Sequence, residues 1–217
     1  MTGTYFLHVH GAAAARAAVA AAVERALKQA PAVGVLHTPI DLPDDDPLRV
    51  EQDARLLLCQ LDQPGEAARL DDVARAVPGV LHVAHQSMFC ERITPGAPDE
   101  PGAVPRAVSW FVQYNGPAED PAAFYAYYRE HHVPIVHRMP RIRSLSWYVP
   151  AAWTPRAGLH AVSYLQLVQA VFDDVEGLLA MRRSAQRKEG LRDFANYPAF
   201  EGPVTHQALL SRRISGH

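Results

Sequence analysis

The pattern of hydrophobic and polar residues predicts the same order of elements in both halves of the chain. In the first half, strands are predicted at 5–10, 32–38, 55–61 and 80–93, with helices at 12–30 and 70–77. In the second half, strands are predicted at 107–115, 142–149, 160–170 and 204–213, with helices at 121–132 and 173–183. Each half therefore reads β-α-β-β-α-β, which is the ferredoxin-like order. Two copies in one chain indicate an internal duplication.

A segment rich in proline and glycine, residues 94–105, separates the two halves and is typical of a linker. We therefore expect a degenerate ferredoxin-like repeat at 1–93, the linker at 94–105 and a second repeat at 106–217. A ferredoxin-like unit has helices on only one face of its sheet, so the other face must be covered. The simplest arrangement packs the two sheets face to face within one chain. The predicted fold class is α+β, as an intramolecular, pseudo-dimeric barrel.

Composition excludes several functional classes. The 217 residues have a net charge of −2 and a pI near 6.6, so nothing indicates nucleic-acid binding. No apolar run approaches the ~18 residues of a membrane span, and no signal peptide is recognisable, so we expect a cytoplasmic protein without a membrane partner. Cys59 and Cys90 lie outside any CxxC pattern, which argues against a disulfide framework or a zinc cassette. The absence of a phosphate loop and a nucleophile elbow argues against nucleotide, flavin and serine-hydrolase chemistry.

The strongest candidate for chemistry is His132. Asp120 followed by Pro121 predicts the start of a helix, on which Phe124, Tyr128 and His132 share one face. Pro134 disfavours helical geometry just before it, so the helix is expected to end or bend near His132. A histidine placed there is either a general acid or base beside a cavity, or a core histidine bonded to a backbone carbonyl.

A second group of histidines raises the question of a metal site. His8 and His10 lie two apart on the first strand, and the fourth strand of a ferredoxin-like sheet would bring His82 or His85 close to them. Three imidazoles could bind zinc, copper or iron. His82 and His85 face opposite ways, however, and no acidic partner stands at a defined spacing. We predict no metal ligands, but the sequence leaves open whether His8, His10 and His85 form such a site.

The second half, from about residue 107, resembles the EthD family, named after a gene cluster for ethyl tert-butyl ether degradation. The resemblance rests on YNGP at 114–117 followed by DPAAF at 120–124, on YY at 127–128 with HVPI at 132–135, on MP at 139–140, and on DFANY at 193–197 followed by GPVT at 202–205. There are two departures from the family pattern. Arg141 stands where the family usually has glycine, and the first half lacks the H-x-P signature.

The resemblance implies a barrel fold. Relatives form this barrel by dimerising, and in the present chain the first half is expected to replace the partner subunit. It also implies that His132 and Tyr128 are catalytic and that Tyr127, Tyr114, Trp110, Asp193 and Asn196 contact a substrate. Asp193 either orients an imidazole or caps the local backbone. Trp110, Tyr127 and Tyr128 could equally be core residues.

Related barrels include cofactor-free monooxygenases, lyases, isomerases and haem-degrading enzymes, so the fold does not fix the reaction. We expect an enzyme without an organic cofactor that acts on a small apolar, aromatic or polyketide-like molecule. A non-catalytic small-molecule-binding accessory protein and a haem-binding or haem-degrading protein are the alternatives. The sequence leaves open whether the chain is an enzyme at all, and whether it is a monomer or a homodimer.

Overall fold

The computed structural model describes residues 2–40, 42, 55–62, 64–94, 107–154, 158–162 and 164–215. The first half contains β1 (Thr2–Gly11), α1 (Arg16–Lys28), β2 (Val33–Pro39), β3 (Arg55–Leu61), α2 (Ala67–Arg75) and β4 (Val80–Arg92). The second half begins with β5 (Val108–Asn115), α3 (Pro121–Tyr127), a π-helical turn (Tyr128–His132) and α4 (Val133–His137). It continues with β6 (Ser144–Pro150), β7 (His160–Ala161), β8 (Tyr164–Phe172), α5 (Val175–Arg182), α6 (Ala185–Phe194) and β9 (Val204–Ser215).

The duplicated β-α-β-β-α-β order is confirmed, with two additions in the second half: the helix α6, and the short strand β7, since the single strand predicted at 160–170 occurs as β7 and β8. We predicted no element between 184 and 203, yet α6 occupies much of this segment. Ser184 caps it, because its hydroxyl accepts a hydrogen bond from the Arg187 backbone N–H at 3.1 Å. The helix has few apolar residues and a glycine in its interior, so its sequence shows no clear helical periodicity.

The eight long strands form one closed barrel. Their order is β1-β3-β2-β9-β5-β8-β6-β4, and β4 pairs back with β1. Two strand pairs join the halves. Strand β2 pairs with β9, from Val33↔Ser215 to Pro39↔Leu209, and β4 pairs with β6, from Met88↔Pro150 to Arg92↔Ser146. The predicted intramolecular α+β barrel is therefore confirmed. The expectation of two separate sheets facing each other is wrong, because the edge strands of the two halves hydrogen-bond to each other and leave one continuous sheet.

Side chains on the strands alternate between the helix-covered outside and the lumen of the barrel. Two hydrophobic clusters lie under the helices of the first and second halves. A third cluster contains one buried residue from each of seven strands and none from a helix, so it fills the lumen: Phe6, Leu58, Met88, Phe111, Tyr148, Leu167 and Leu209. On β5, Trp110 and Tyr114 belong to an outer cluster while Phe111 points into the lumen. This strand therefore separates two environments.

Polar side chains in the lumen form a closed ring of hydrogen bonds. Its six members come from six different strands: His37, Ser211, Ser109, Gln169, Tyr148 and Gln60. The successive distances are 2.8, 2.6, 2.9, 2.8, 3.3 and 3.3 Å, the last closing the ring on His37. Burial lowers the pKa of His37 to about 3, so its imidazole is neutral at neutral pH. The ring gives buried polar groups partners across the barrel.

The boundary between the two repeats was predicted to lie in the linker at 94–105. Residues 95–105 of the predicted linker lie outside the described residues, so the division of the chain at 94–105 stays a prediction.

In the described part of the chain, no helix has the length and apolar character needed to cross a membrane.

Candidate active site

The helix that positions His132 changes its pitch at that residue. Asp120 caps it as predicted, since its Oδ1 accepts from the Ala123 backbone N–H at 3.0 Å. After α3 the chain forms the π turn, in which the Val133 N–H bonds to the Tyr128 carbonyl, and it then continues as α4. Pro134 lacks an N–H, and its ring crowds the carbonyl four residues earlier, so a wider turn accommodates it. The helix thus changes to a π turn where we predicted a bend or an end, and extends beyond it to His137.

His132 forms a buried pair with Asp193. The imidazole Nδ1 lies 2.8 Å from Asp193 Oδ2, and the two side chains are only 12% and 11% exposed. The other carboxylate oxygen accepts a hydrogen bond from the Tyr127 hydroxyl at 2.9 Å. Asp193 comes from the last turn of α6, the helix that the sequence did not reveal. Of the two contacts considered for Asp193, its side chain makes the one with an imidazole, and its role in orienting His132 stays a prediction.

The surroundings of His132 favour a neutral ring. Burial lowers the pKa of His132, Asp193 acts in the opposite direction, and the positive charge of Arg187 lowers the pKa further. The net shift is below the ordinary value, so the imidazole is uncharged at neutral pH. The tautomer that donates Nδ1–H to Asp193 has its lone pair on Nε2. Such an imidazole can accept a proton at Nε2.

The His132 ring lines a cavity of about 60 Å³ between the sheet and the helices of the second half. This is roughly four times the space that one water molecule needs. Its walls are mostly apolar, and four aromatic side chains, Trp110, Tyr114, Tyr128 and Phe194, form part of them. Burial raises the pKa of Tyr128 well above 10, so its hydroxyl remains a hydrogen-bond donor over the physiological range.

The polar residues at this cavity include two that sequence reasoning missed, Arg187 and His206. Arg187 Nη2 lies 3.4 Å from His206 Nδ1, and the Arg187 guanidinium lies over the Trp110 ring at 5.1 Å from its centroid. His206 meets the same ring edge to face at 4.9 Å. The period-two spacing of Val204, His206 and Ala208 on a predicted strand was the one signal that could have placed His206 on this face.

A glycine allows α6 to approach His132 closely. A Cβ atom at Gly190 would lie 3.3 Å from Met139 Cε and 3.5 Å from His132 Cε1. A Cβ here would be tight against Met139 Cε and in ordinary contact with the imidazole, and a longer side chain would crowd the cavity wall that Gly190 forms. Gly190 therefore helps to define the space in front of His132.

The structure sorts the predicted site residues into two groups. Four line the cavity: His132, Tyr128, Tyr114 and Trp110. Three lie behind or beside the imidazole and do not line the cavity: Tyr127, Asp193 and Asn196. Asn196 is exposed, and its backbone N–H bonds to the Asp193 carbonyl at 2.9 Å. Their roles in catalysis or binding remain predictions.

His8 and His85 do not converge on one point, and the ring of His10 lies beside that of His82, its cross-strand partner, with 6.1 Å between the centroids. His8 lies in the lumen with Phe6 and Tyr164, whereas His85 faces α2 and bonds through Nε2 to Asp71 Oδ1 at 2.7 Å. Their strands are neighbours as expected, but Leu7 rather than His8 is the partner of His85 in the β1–β4 register. Within the ranges that the structure describes, no group of histidine, cysteine and acidic residues has a metal-binding arrangement.

The closed barrel with outer helices defines the class of protein: an antiparallel α+β barrel. Solved structures of this class are similar to nearly the whole chain. An anthrone oxidase-like protein is 10% identical with a TM-score of 0.60, over 99% of this chain and 94% of its own. An inferred monooxygenase from Lactobacillus acidophilus NCFM is 7% identical with a TM-score of 0.56, over 97% and 94%. A mutant chlorite dismutase from Candidatus Nitrospira defluvii is 12% identical with a TM-score of 0.51, over 95% and 90%.

Within that class, residues 116–198 match the family model of the EthD domain. The resemblance of the second half to the EthD family is thereby confirmed. The matched range includes the π turn, His132, Arg187 and Asp193, whereas Trp110, Tyr114 and His206 lie outside it. No curated protein matches the chain.

Proposed function

We propose that the protein is an enzyme in which His132 transfers a proton to or from a small, largely apolar, aromatic molecule bound in the cavity. The observation that supports this most directly is the hydrogen bond of Asp193 with His132, whose imidazole lines an apolar cavity and has its pKa lowered by burial. A general base needs a lone pair within reach of the substrate and a pKa below or near the working pH. The Nδ1–H tautomer argued above, with its lone pair on Nε2 and its lowered pKa, supports this role.

The proposed step is proton abstraction next to a carbonyl or from a phenol. A C–H or O–H bond of the substrate breaks, the proton goes to His132 Nε2, and the electron pair moves onto the substrate oxygen as an enolate or phenolate. Tyr128 would donate a hydrogen bond to that oxygen, and the positive charge of Arg187 would stabilise it. Asp193 would stabilise the imidazolium that forms. No organic cofactor takes part in this step.

The reaction that follows the proton transfer is proposed only as a class. Enolates and phenolates can react with oxygen, eliminate a group or be reprotonated elsewhere, which correspond to monooxygenase, lyase and isomerase chemistry. The names of two structurally similar proteins, an anthrone oxidase-like protein and an inferred monooxygenase, support the first of these. At 7–10% identity they support it only in general terms.

One observation also favours a second candidate, haem binding. A histidine that donates one ring N–H to a carboxylate is the usual arrangement of a metal-ligating histidine. The cavity of about 60 Å³ is better matched to a compact ring than to a macrocycle, which makes haem the weaker proposal. An absorption spectrum of the purified protein reconstituted with haem distinguishes the two, because ligation by His132 would give a Soret band that His132→Ala removes.

The test of proton transfer uses hydrogen exchange and does not require the complete reaction. Hydroxylated aromatic ketones are incubated with the protein in D2O, and the loss of the acidic C–H signal is followed by NMR. The wild type is expected to accelerate exchange of a bound ketone, and His132→Ala to slow it by ~10²–10⁴-fold. His132→Gln preserves a polar shape without a titratable nitrogen and should be equally slow.

His131→Ala is the matched control, since His131 is the adjacent residue, is exposed and stacks on Tyr127 at 4.4 Å. It should retain the wild-type rate. Saturable binding of a ketone without any exchange would support the alternative, a small-molecule-binding accessory protein. A melting temperature that falls in His132→Ala, with exchange rates unchanged, would assign His132 a structural role only.

A further inference from the structure

A buried positive charge in the lumen has no negative partner among the residues that the structure describes. Arg55 begins β3 and is only 5% exposed. Its Nη2 donates to Gln113 Oε1 at 3.0 Å, and its Nε has no hydrogen-bond partner. In the barrel order, β3 and β5 are separated by β2 and β9, so this bond crosses the lumen. Among the described residues, no carboxylate forms an ion pair with Arg55.

This arrangement is unfavourable unless something else supplies a negative charge. A guanidinium remains protonated in proteins, so Arg55 cannot become neutral as a buried lysine or histidine can. A buried charge without a counter-charge loses its hydration and recovers little from a neutral amide such as Gln113. The ion pairs found elsewhere in the described chain, such as Arg75 with Asp71, show the usual compensation.

The groups around Arg55 are hydrogen-bonding groups whose capacity is not used. His8 is fully buried, and neither of its ring nitrogens has a hydrogen-bond partner in the described part of the chain. Its ring lies 5.3 Å from that of Tyr164, and the charge of Arg55 contributes, after burial, to lowering the pKa of His8. Gln86 donates to the Tyr164 carbonyl at 3.3 Å, while its Oε1 is buried without a partner. Gln113 and Tyr164 are only partly buried, so this end of the lumen has contact with solvent.

We propose that this end of the lumen binds a small organic carboxylate, which pairs with the Arg55 guanidinium and accepts hydrogen bonds from His8 and the Tyr164 hydroxyl. The planar guanidinium matches a carboxylate because the two can form two parallel N–H···O bonds. This second site is distinct from the His132 cavity. Gln113 points into the lumen, whereas the residues on either side of it on β5, Val112 and Tyr114, line the cavity under the helices.

Thermal unfolding in different sodium salts tests the proposal. The melting temperature is measured at pH 7 in sodium acetate, sodium benzoate and sodium chloride at equal ionic strength. For the wild type, we expect a saturable rise in one of the carboxylates relative to chloride, of roughly 5–10 °C at a hundredfold excess over Kd. Arg55→Gln should lose this rise. In chloride alone it should melt no lower than the wild type, because the uncompensated charge has been removed.

Two control variants complete the test. Arg25→Gln alters an exposed arginine on α1 and should keep the carboxylate response. His132→Gln should also keep it, so the result does not depend on the function proposed above. Equal melting temperatures of the wild type in all three salts would overturn the proposal, as would a carboxylate response retained by Arg55→Gln. A variant that is destabilised or unfolded in chloride would show that the chain itself already balances the Arg55 charge, which also overturns it.

Discussion

Replacing Asp193 with asparagine is expected to lower the pKa of His132 further and to change its tautomer. The Nδ1–Oδ2 distance of 2.8 Å and the burial of both side chains make Asp193 the main group that favours the protonated imidazole. Asparagine has nearly the same shape but no charge. The substitution therefore removes the electrostatic attraction while leaving the packing almost unchanged.

The size of the effect follows from the geometry. Two opposite charges whose centres are about 4 Å apart interact by about 4 kcal/mol at an effective dielectric constant of 20. Part of this is recovered, because an asparagine can still hydrogen-bond to the ring. A drop of about 1–3 pKa units, or about 1.4–4 kcal/mol, is therefore expected. The proton acceptor would become weaker, and any rate that depends on it should fall.

NMR titration of the ring nitrogens measures both effects without a substrate. In the wild type, the nitrogen shifts of His132 should identify an Nδ1–H tautomer and a pKa below 6.5. Asp71→Asn is the matched control, because Asp71 makes the corresponding bond to His85 at 2.7 Å in the other half. It should change the titration of His85 and leave that of His132 unmoved. A His132 pKa that changes by less than roughly 0.3 units in Asp193→Asn would contradict the reasoning.

Three further predictions concern stability. Tyr148→Phe opens the hydrogen-bonded ring in the lumen and should lower the free energy of unfolding by about 1–3 kcal/mol, as measured by urea titration. The loss should be greater than in Tyr125→Phe, because the Tyr125 hydroxyl donates only to a backbone carbonyl. The folded-state pKa of His37, about 3, lies below its ordinary value of 6.5, so as the pH falls the unfolded chain takes up a proton before the folded chain does. The stability that the neutral His37 contributes is therefore fully present above pH 6.5 and is lost as the pH falls towards 3. At pH 4.5 the loss should reach about 2–3 kcal/mol, and His37→Gln should show a correspondingly flatter pH dependence of unfolding. Arg141 has φ of 65°, so Arg141→Gly should change stability by less than about 1 kcal/mol while Arg141→Val costs about 1–2 kcal/mol, as calorimetry would show.

Much of the fold followed from local sequence patterns. Strand β3 was predicted at the residues where it occurs, and the other long strands to within a few residues of their ends. Both faces of the barrel wall are buried, so its strands are runs of β-branched and aromatic residues bounded by turn residues, and such runs are recognisable in the sequence. Helix α6 was missed because its position depends on contacts with the π turn and not on its own periodicity. The departure at Arg141 was visible in the sequence, and the structure shows what it means for the backbone: Arg141 has the left-handed conformation that glycine adopts without strain.

The candidate site shows the same limit. His132 was singled out from its position before Pro134 and its place on an aromatic helix face, which are properties of neighbouring residues. The sequence could not decide between two roles for Asp193, nor indicate Arg187 or His206, because these residues are 55 to 74 positions from His132 along the chain. The sequence alone determined the repeated elements and one candidate chemical group. Only the tertiary structure decided which edges close the barrel, which distant side chains meet His132, and that Arg55 is buried with no counter-charge from the described part of the chain. These features depend on the packing of segments that are far apart in sequence.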